Sequence, residues 1–519
     1  MLEVAHEHAL EQINFPPLNA FPPDEVALKT NSHFVLLASV GLLAIVTATA
    51  ACGSSSTGTS PTTTPPGLEG GALALTPDQI VNGGSCVKST GAGTAHAGTI
   101  SADETWTAAN GPHLVTSTVT ILATVTIEPC AVVLLSAGAG ITVGSASDAG
   151  KLIAAGTASV VTENQVEKLD VRPVVFDAAV DSAPWAQILV QPKGSIDLSV
   201  TGILDGGKVE SNSRGALVVE GVAGGTNTGE PVKSAKVNRV VVDHSSTYGI
   251  FLNAWGAFAD GSNTVWIRKS GSTDYPYAIR MEPGVAATLP TELFATDNLK
   301  NDILLETSKA FTRTDTLVSR GIPYHQKGLL YLNAGVDGST AKLTIEAGVT
   351  LAFEEAAGSG IIIGSSKERP GILEAIGTAS APVVFTSGKE TKAAGDWMGL
   401  YFHATPTSGS RISYAKIEYA GGDNTSNSFG CGPKDNDSAL FVEGFGPEAS
   451  GPATAFVDNT NFDNIGGTTV IVSGWVSDDG PNLSVSNTFG AATPSCKVSR
   501  PRRTGGGDVC DGGRDVCWP

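Results

Sequence analysis

Residues 344–353 read TIEAGVTLAF, and residues 126–135 read TIEPCAVVLL. The same phrase recurs at a distance of 218 residues (344 − 126). The match extends outward. Gly156-Thr157-Ala158-Ser159 returns as Gly377-Thr378-Ala379-Ser380, and Pro173-Val174-Val175-Phe176 returns as Pro382-Val383-Val384-Phe385. Each of the latter is followed by a tryptophan, Trp185 and Trp397. Ala216–Gly221 (ALVVEG) answers Ala439–Gly444 (ALFVEG), and Trp255 answers Trp475. The offset drifts from 209 (382 − 173) to 223 (439 − 216) because loops differ, notably at VTENQVEKLDV (161–171) in the first copy. A chain repeating in this way reads as a tandem duplication.

Inside each copy runs a shorter beat. In the second, apolar residues alternate with polar ones at Leu343/Ile345, Val349/Leu351, Ile361/Ile363, Val383/Phe385, Leu400/Phe402, Ile412/Tyr414 and Ile417/Tyr419. Each pair is a short strand of period two, bounded by Gly, Pro, Asn or Asp. No helical period of 3.6 competes there. Short strands with tight turns admit a sandwich, a barrel or a parallel β-helix. The recurring order TIE, Gly, Gly-Thr, Pro-Val-Val-Phe favours the β-helix, because aliphatics then stack in ladders while Gly and Asx residues turn the corners.

The phrases LTIEAGVTLAF (343–353), GILEAIGTASAPVVFTS (371–387), DWMGL (396–400) and ISYAKIEYAGG (412–422) resemble bacterial surface proteins with right-handed parallel β-helix repeats, of the pectin-lyase-like fold. That resemblance covers most of residues 100–490. It implies an all-β solenoid built from two tandem copies, a fold that serves several activities. At about 25 residues per coil and roughly 4.8 Å between coils, some 400 residues make a rod on the order of 75 Å long. Its ends need caps over unpaired strand edges, and residues 73–110 are expected to form the front one.

Composition agrees. The hydrophobic fraction of 41% is ample for a core, while 62 glycines and only 16% charged residues suit strands and turns. The net charge of −19 repels phosphate backbones, which excludes nucleic acid as a partner.

The N-terminal part reads as an export signal, with an uncleaved single-pass helix as the alternative. Residues 34–51, FVLLASVGLLAIVTATAA, form an apolar run that ends in small residues, and Cys52 follows at once. After it, GSSSTGTSPTTTPPG reads as a flexible tether. The arrangement resembles a bacterial lipoprotein signal, in which the cysteine is lipidated; Thr49 departs from the leucine usual there. Gly53 implies outer-membrane sorting in a Gram-negative cell. The acidic residues before Val26 suit no signal, so translation is expected to start near Val26 or Leu28. The expected division is 1–51 extension and signal, 52–72 lipidated Cys and tether, 73–311 first copy with its N-terminal cap, 312–495 second copy, and 496–519 a Cys/Arg/Gly-rich tail.

Six further cysteines remain: Cys86, Cys130, Cys431, Cys496, Cys510 and Cys517. In an exported protein they read as disulfides. Order along the rod favours Cys86–Cys130, Cys431–Cys496 and Cys510–Cys517. Zinc is disfavoured, since no CxxC occurs and no histidine lies near them.

Chemistry is harder to read. No G-x-S-x-G, HExxH, P-loop or dinucleotide fingerprint is present. The catalytic candidates are Asp243-His244, after the strand Val240–Val242, with Asp205 about two coils earlier; paired carboxylates can act as acid and base on a glycosidic bond. The second copy carries Asp463-Asn464 at the matching place, so turn chemistry explains these residues as well. Trp185, Trp255, Trp397 and Trp475 are candidates for stacking on sugar rings. Asx-rich corners at Asp423-Asn424, Asp458-Asn459, Asp463-Asn464 and Asp478-Asp479 could bind Ca²⁺, though such residues more often close turns; no cofactor is expected. The combined expectation is a lipid-anchored surface rod with a binding, adhesion or structural role toward extended ligands such as polysaccharide. The alternative is a polysaccharide lyase or glycoside hydrolase on the β-helix face.

Overall fold

The computed structural model describes residues 74–89, 91–181, 183–208, 214–222, 230–306, 311, 313–333, 340–354, 358–365, 369, 371–403, 406–423, 437–442, 454–473, 481–500 and 516–518. The apolar run 34–51, Cys52, the tether, and most of the tail lie outside them. Among the described residues no helix is long and apolar enough to cross a membrane.

Alternation builds the architecture. In Thr124–Ile127 and Val132–Leu135, the residues Val125, Ile127, Val133 and Leu135 are fully buried while their neighbours face outward. Each strand pairs in parallel with strands of the coils before and after it. Parallel pairing between successive coils, repeated along the chain, makes a parallel β-helix.

One ladder runs the whole length. Its inward column begins at Val119, passes Ile141, Ile188, Leu217, Ile250 and Ile279, and continues through Tyr324 and Phe385 to Phe462 and Phe489. Twelve steps separate Val119 from Phe489, so a coil averages about 31 residues rather than 25, and this column rises roughly 58 Å at 4.8 Å per step. The loops lengthen the coils and shorten the rod.

The front half adds two ladders. One holds Val132–Leu135, Val174–Ala178, the second half of Gly194–Leu204, the end of Val232–Asp243, Thr264–Arg268 and finally Glu292–Thr296. The other holds Thr124–Ile127, Gly150–Ala155, and the first halves of Gly194–Leu204 and Val232–Asp243. In the back half two new ladders start, at Thr314–Leu317 and at Leu329–Leu332. Thr350–Phe353, the counterpart of Val132–Leu135 in the repeated phrase, joins the long ladder instead of the front one. The chain thus shifts by one face between Glu292–Thr296 and Tyr324–Lys327. The front ladder ends in a step at Glu292–Thr296.

Most expected inward residues are buried, from Leu343 to Ile417, but Tyr414 is 42% exposed and Tyr419 only partly buried. Both have positive φ, 49° and 62°, at a corner, which turns Tyr414 out while Tyr419 still packs against the core. The expected end cap is also revised. Residues from Thr94 onward already form coils. The helix α1 (Pro77–Val81), capped by Thr76 and Gln79, lies along the flank. Its Ile80 packs with Val171, Val200 and Val241 on the outer side of the sheet.

Cys86 and Cys130 are joined in a disulfide, with Cα atoms 5.4 Å apart, which ties this flanking strap to the rod. At the other end Cys496 bonds Cys517, not Cys431. Val516–Trp518 folds back antiparallel on Cys496–Arg500, so the two cysteines belong to one strand pair. Cys431 and Cys510 lie outside the described residues. Removing the front disulfide with paired Cys86→Ser and Cys130→Ser changes is expected to cost up to ~4 kcal/mol for a loop of this length, read as a fall in the denaturation midpoint.

Candidate functional site

The corner that ends the front ladder's strands gathers the sequence candidates. Leu204, Asp243, Arg268 and Thr296 stand in register on successive coils. The residues after them, Asp205, His244, Lys269 and Asp297, all have positive φ, so one left-handed turn repeats up the rod. Asp205 and Asp243 are therefore one coil apart, not two: the chain between them makes a single long coil through the strand Gly215–Glu220. Asp205 N donates to Asp243 O at 3.0 Å.

Asp243 is only 1% exposed, which leaves it no surface to offer a substrate. Its Oδ2 accepts from Arg268 Nε at 2.7 Å, and its Oδ1 lies 2.8 Å from His244 Nδ1. Arg268 Nη1 continues the chain to Asp78 Oδ1 of α1 at 2.6 Å. Burial opposes the Arg268 charge, but the bonds to Asp78 and Asp243 outweigh it and raise its pKa. This network holds the strap to the rod. His244 is about half exposed.

A different carboxylate fits acid chemistry better. Asp177 faces outward between buried Phe176 and Ala178. Burial, and the carboxyl of Asp205 against it, push its pKa up to about 6 despite the amide of Ala178. The folded protein therefore holds a proton between about pH 4 and 6 that the unfolded chain releases. Stability from this group rises as pH falls through that window. Asp177→Asn is expected to raise stability at pH 7.5 and to lose that advantage at pH 4, measured as the difference in denaturation midpoint from the unaltered protein.

The tryptophans are not where sugar could reach them. Trp185 and Trp397 are fully buried and Trp255 is 7% exposed. Trp185 Nε1 donates to Leu204 O at 2.7 Å, and Trp397 Nε1 to Glu418 O at 2.8 Å, so both tie a loop to the end of a strand in the next coil. Trp397 stacks on Phe353 at 4.1 Å. Trp255 is covered by Arg313, 5.0 Å above its ring, and by Gly284. Trp475 lies outside the described residues.

A partly exposed aromatic pair lies on the outer side of the front ladder, where Trp266 also borders the cluster of Ile80, Val171, Val200 and Val241. In Thr264–Arg268, buried Val265 and Ile267 flank an outward Trp266; in Glu292–Thr296, Leu293 and Ala295 flank Phe294. Trp266 and Phe294 are paired in register and stack at 6.1 Å with 16° between rings. Both are partly exposed. Polar groups border them: Thr264 Oγ1 donates to Glu292 Oε2 at 2.7 Å on one side, and Arg268 and Thr296 stand on the other. This platform sits at the step where the front ladder stops. Strict alternation at Val265-Trp266-Ile267 was the signal available in sequence.

Another polar cluster lies on the long ladder, where His325 contacts Asp302 (3.0 Å), Glu354 (3.5 Å) and Tyr277 (3.3 Å), and Lys300 bonds Tyr277 (3.1 Å). These groups satisfy one another as an ion-pair network. The Asx corners behave as turn closures where they are described: Asp458 accepts from Arg411, Ser413 and Asn459, and Asp463 from Asn464 N. Asn424, Asp478 and Asp479 lie outside the described residues. Among the described residues no group of three or more His, Cys, Asp or Glu is placed to hold a metal ion.

Residues 311–431 match a family model described as a pectate-lyase like beta helix domain. That stretch contains the phrases that carry the resemblance and the start of both back ladders. No curated protein and no solved structure matches the chain at a significant level.

Proposed function

We propose that this protein is a surface rod that binds an extended polysaccharide, with sugar rings stacking on Trp266 and Phe294. The observation that carries this reading is the pair of outward, register-matched rings on adjacent coils. Their spacing presents flat apolar surface to the faces of a sugar, and Thr264, Glu292, Arg268 and Thr296 supply hydrogen-bonding groups at the rim. Neutral and carboxylated glycans are both compatible with that chemistry. A Trp266→Ala protein is expected to bind a retained polysaccharide at least about 10-fold more weakly, since aromatic anchors dominate such contacts. Affinity electrophoresis in a panel of glycans measures this, and unchanged migration of the variant on a glycan that retards the unaltered protein contradicts it.

The anchor belongs to the same proposal. Export and lipidation at Cys52 place the rod at the cell surface, with 53–72 as tether. Labelled palmitate is expected to enter the protein in cells and to be lost with Cys52→Ser; label that persists in the variant contradicts the anchor. The rod also reads as a tandem duplication, supported by the matching bonds of Trp185 and Trp397. An experimental structure in which residues 73–311 and 312–495 fail to superpose coil on coil would remove that reading.

A second reading, a glycoside hydrolase, is favoured by one observation: Asp177 is poised to hold a proton beside Asp205. It predicts new reducing ends from a polysaccharide, abolished by Asp177→Asn.

A further inference from the structure

The inward columns of the rod are mostly aliphatic or aromatic; polar residues enter them at Asp315, Gln326 and Ser387 and, at the front, at a pair of histidines. The column of Val133, Phe176, Ile203, Val242 and Ile267 begins at His113. On the preceding strand His96 reaches the same place. The two rings are nearly buried, His96 with a tenth of its side chain exposed and His113 with 2% of its surface. Trp106 stacks on His96 at 4.0 Å and on His113 at 5.3 Å.

The hydrogen bonds allow a proton count. His113 Nε2 lies 3.0 Å from Thr107 O, which can only accept, so that nitrogen carries hydrogen. In the neutral ring His113 Nδ1 is then an acceptor. His96 Nε2, 3.0 Å away, must be the donor. That leaves neutral His96 with a bare Nδ1, 3.5 Å from Glu104 Oε2, an oxygen already bonded by Trp106 Nε1 at 2.9 Å. One added proton has a place, on His96 Nδ1 facing Glu104. A second has none: protonating His113 Nδ1 sets two N–H groups against each other and breaks the ring-to-ring bond.

We propose that the His96–His113 pair is an acid-sensitive clasp that holds the first coil closed near neutral pH and releases it in acid. Glu104 is the one charge that acts on both rings. Of the other groups nearby, Asp103 is turned to the amide of Thr124 and Glu128 is exposed. The turn Ala108–Asn110 and the strand Val132–Leu135 bring no titratable side chain. Burial holds both histidines below their usual pKa, with His113 adding to the effect on His96 and Glu104 opposing it. A base with a lowered folded pKa gives stability that is lost as pH falls below about 6.5, where unfolded histidine takes its proton. The first coil is where such a loss opens structure, because Thr94–Ile100 has the next coil on one side only among the described residues.

The test is amide hydrogen exchange of the full chain at pH 8, 6 and 5, corrected for intrinsic rates. Protection of residues 94–121 is expected to fall up to about 30-fold per histidine between pH 8 and 5. Protection of Tyr248–Asn253 in mid-rod is not expected to fall. His113→Gln is expected to flatten the response, and Glu104→Gln to enlarge it. Nitrogen-15 NMR titration of the unaltered protein tests the clasp independently of any variant, by showing His96 carrying its neutral proton on Nε2. Equal pH dependence at both ends of the rod, or two independent titrations near 6.5, overturns the proposal.

Discussion

Replacing Trp397 by alanine is expected to lower the stability of the rod by about 3–5 kcal/mol, the range for emptying a buried large aromatic site. The ring is fully buried and stacks on Phe353 at 4.1 Å with 12° between planes. Its Nε1 holds Glu418 O at 2.8 Å. Truncation therefore leaves a cavity against Phe353 and an unpartnered carbonyl at the end of a strand. Neither loss is repaired by a neighbour sliding in, because coils are fixed in register by parallel pairing on both sides. Chemical denaturation measures the fall. Trp397→Phe keeps the stacking surface but not the donor, so it is expected to lose less. A Trp397→Ala protein within 1 kcal/mol of the parent contradicts the packing described.

Gly194→Ala is expected to be damaging for the opposite reason. A Cβ there would stand 1.9 Å from the backbone oxygen of Val143 and 2.7 Å from its carbonyl carbon. Gly194 pairs with Gly150, whose own Cβ would meet Ile121 O at 2.0 Å. Gly144, with φ of 70°, completes a corner where three backbones touch. No flexible side chain can yield in this place. The two coils must separate, and overpacking of this kind costs 1–3 kcal/mol or more. The expected result is a fall in the unfolding midpoint with loss of amide protection at Gly150–Ala155 and Gly194–Leu204. Normal protection in the variant contradicts the close approach.

Much of the architecture was legible because a β-helix writes its core as local alternation. Leu343, Ile345, Leu351, Ile361, Phe385 and Leu400 are read inward by period two and are buried. Tyr414 broke the pattern because a left-handed corner turned it outward, and period two carries no information on φ. The tryptophans misled for a related reason. Trp185, Trp255 and Trp397 sit beside strands, where alternation gives no side, and their large apolar rings are buried under loops. Trp266 lies inside a strand, where alternation does place it outward. Asp177 was invisible as an acid because its raised pKa comes first from burial and then from Asp205, 28 residues away, and both arise only through coiling. Cys517 finds Cys496 through an antiparallel return that chain order does not announce.

The rod's central role is tested most directly by passing the purified protein over immobilised neutral and carboxylated polysaccharides and assaying the flow-through for new reducing or unsaturated ends. The account predicts retention on at least one glycan, loss of that retention with Trp266→Ala, and no product. Product that disappears with Asp177→Asn, or a complete absence of retention across the panel, would contradict it.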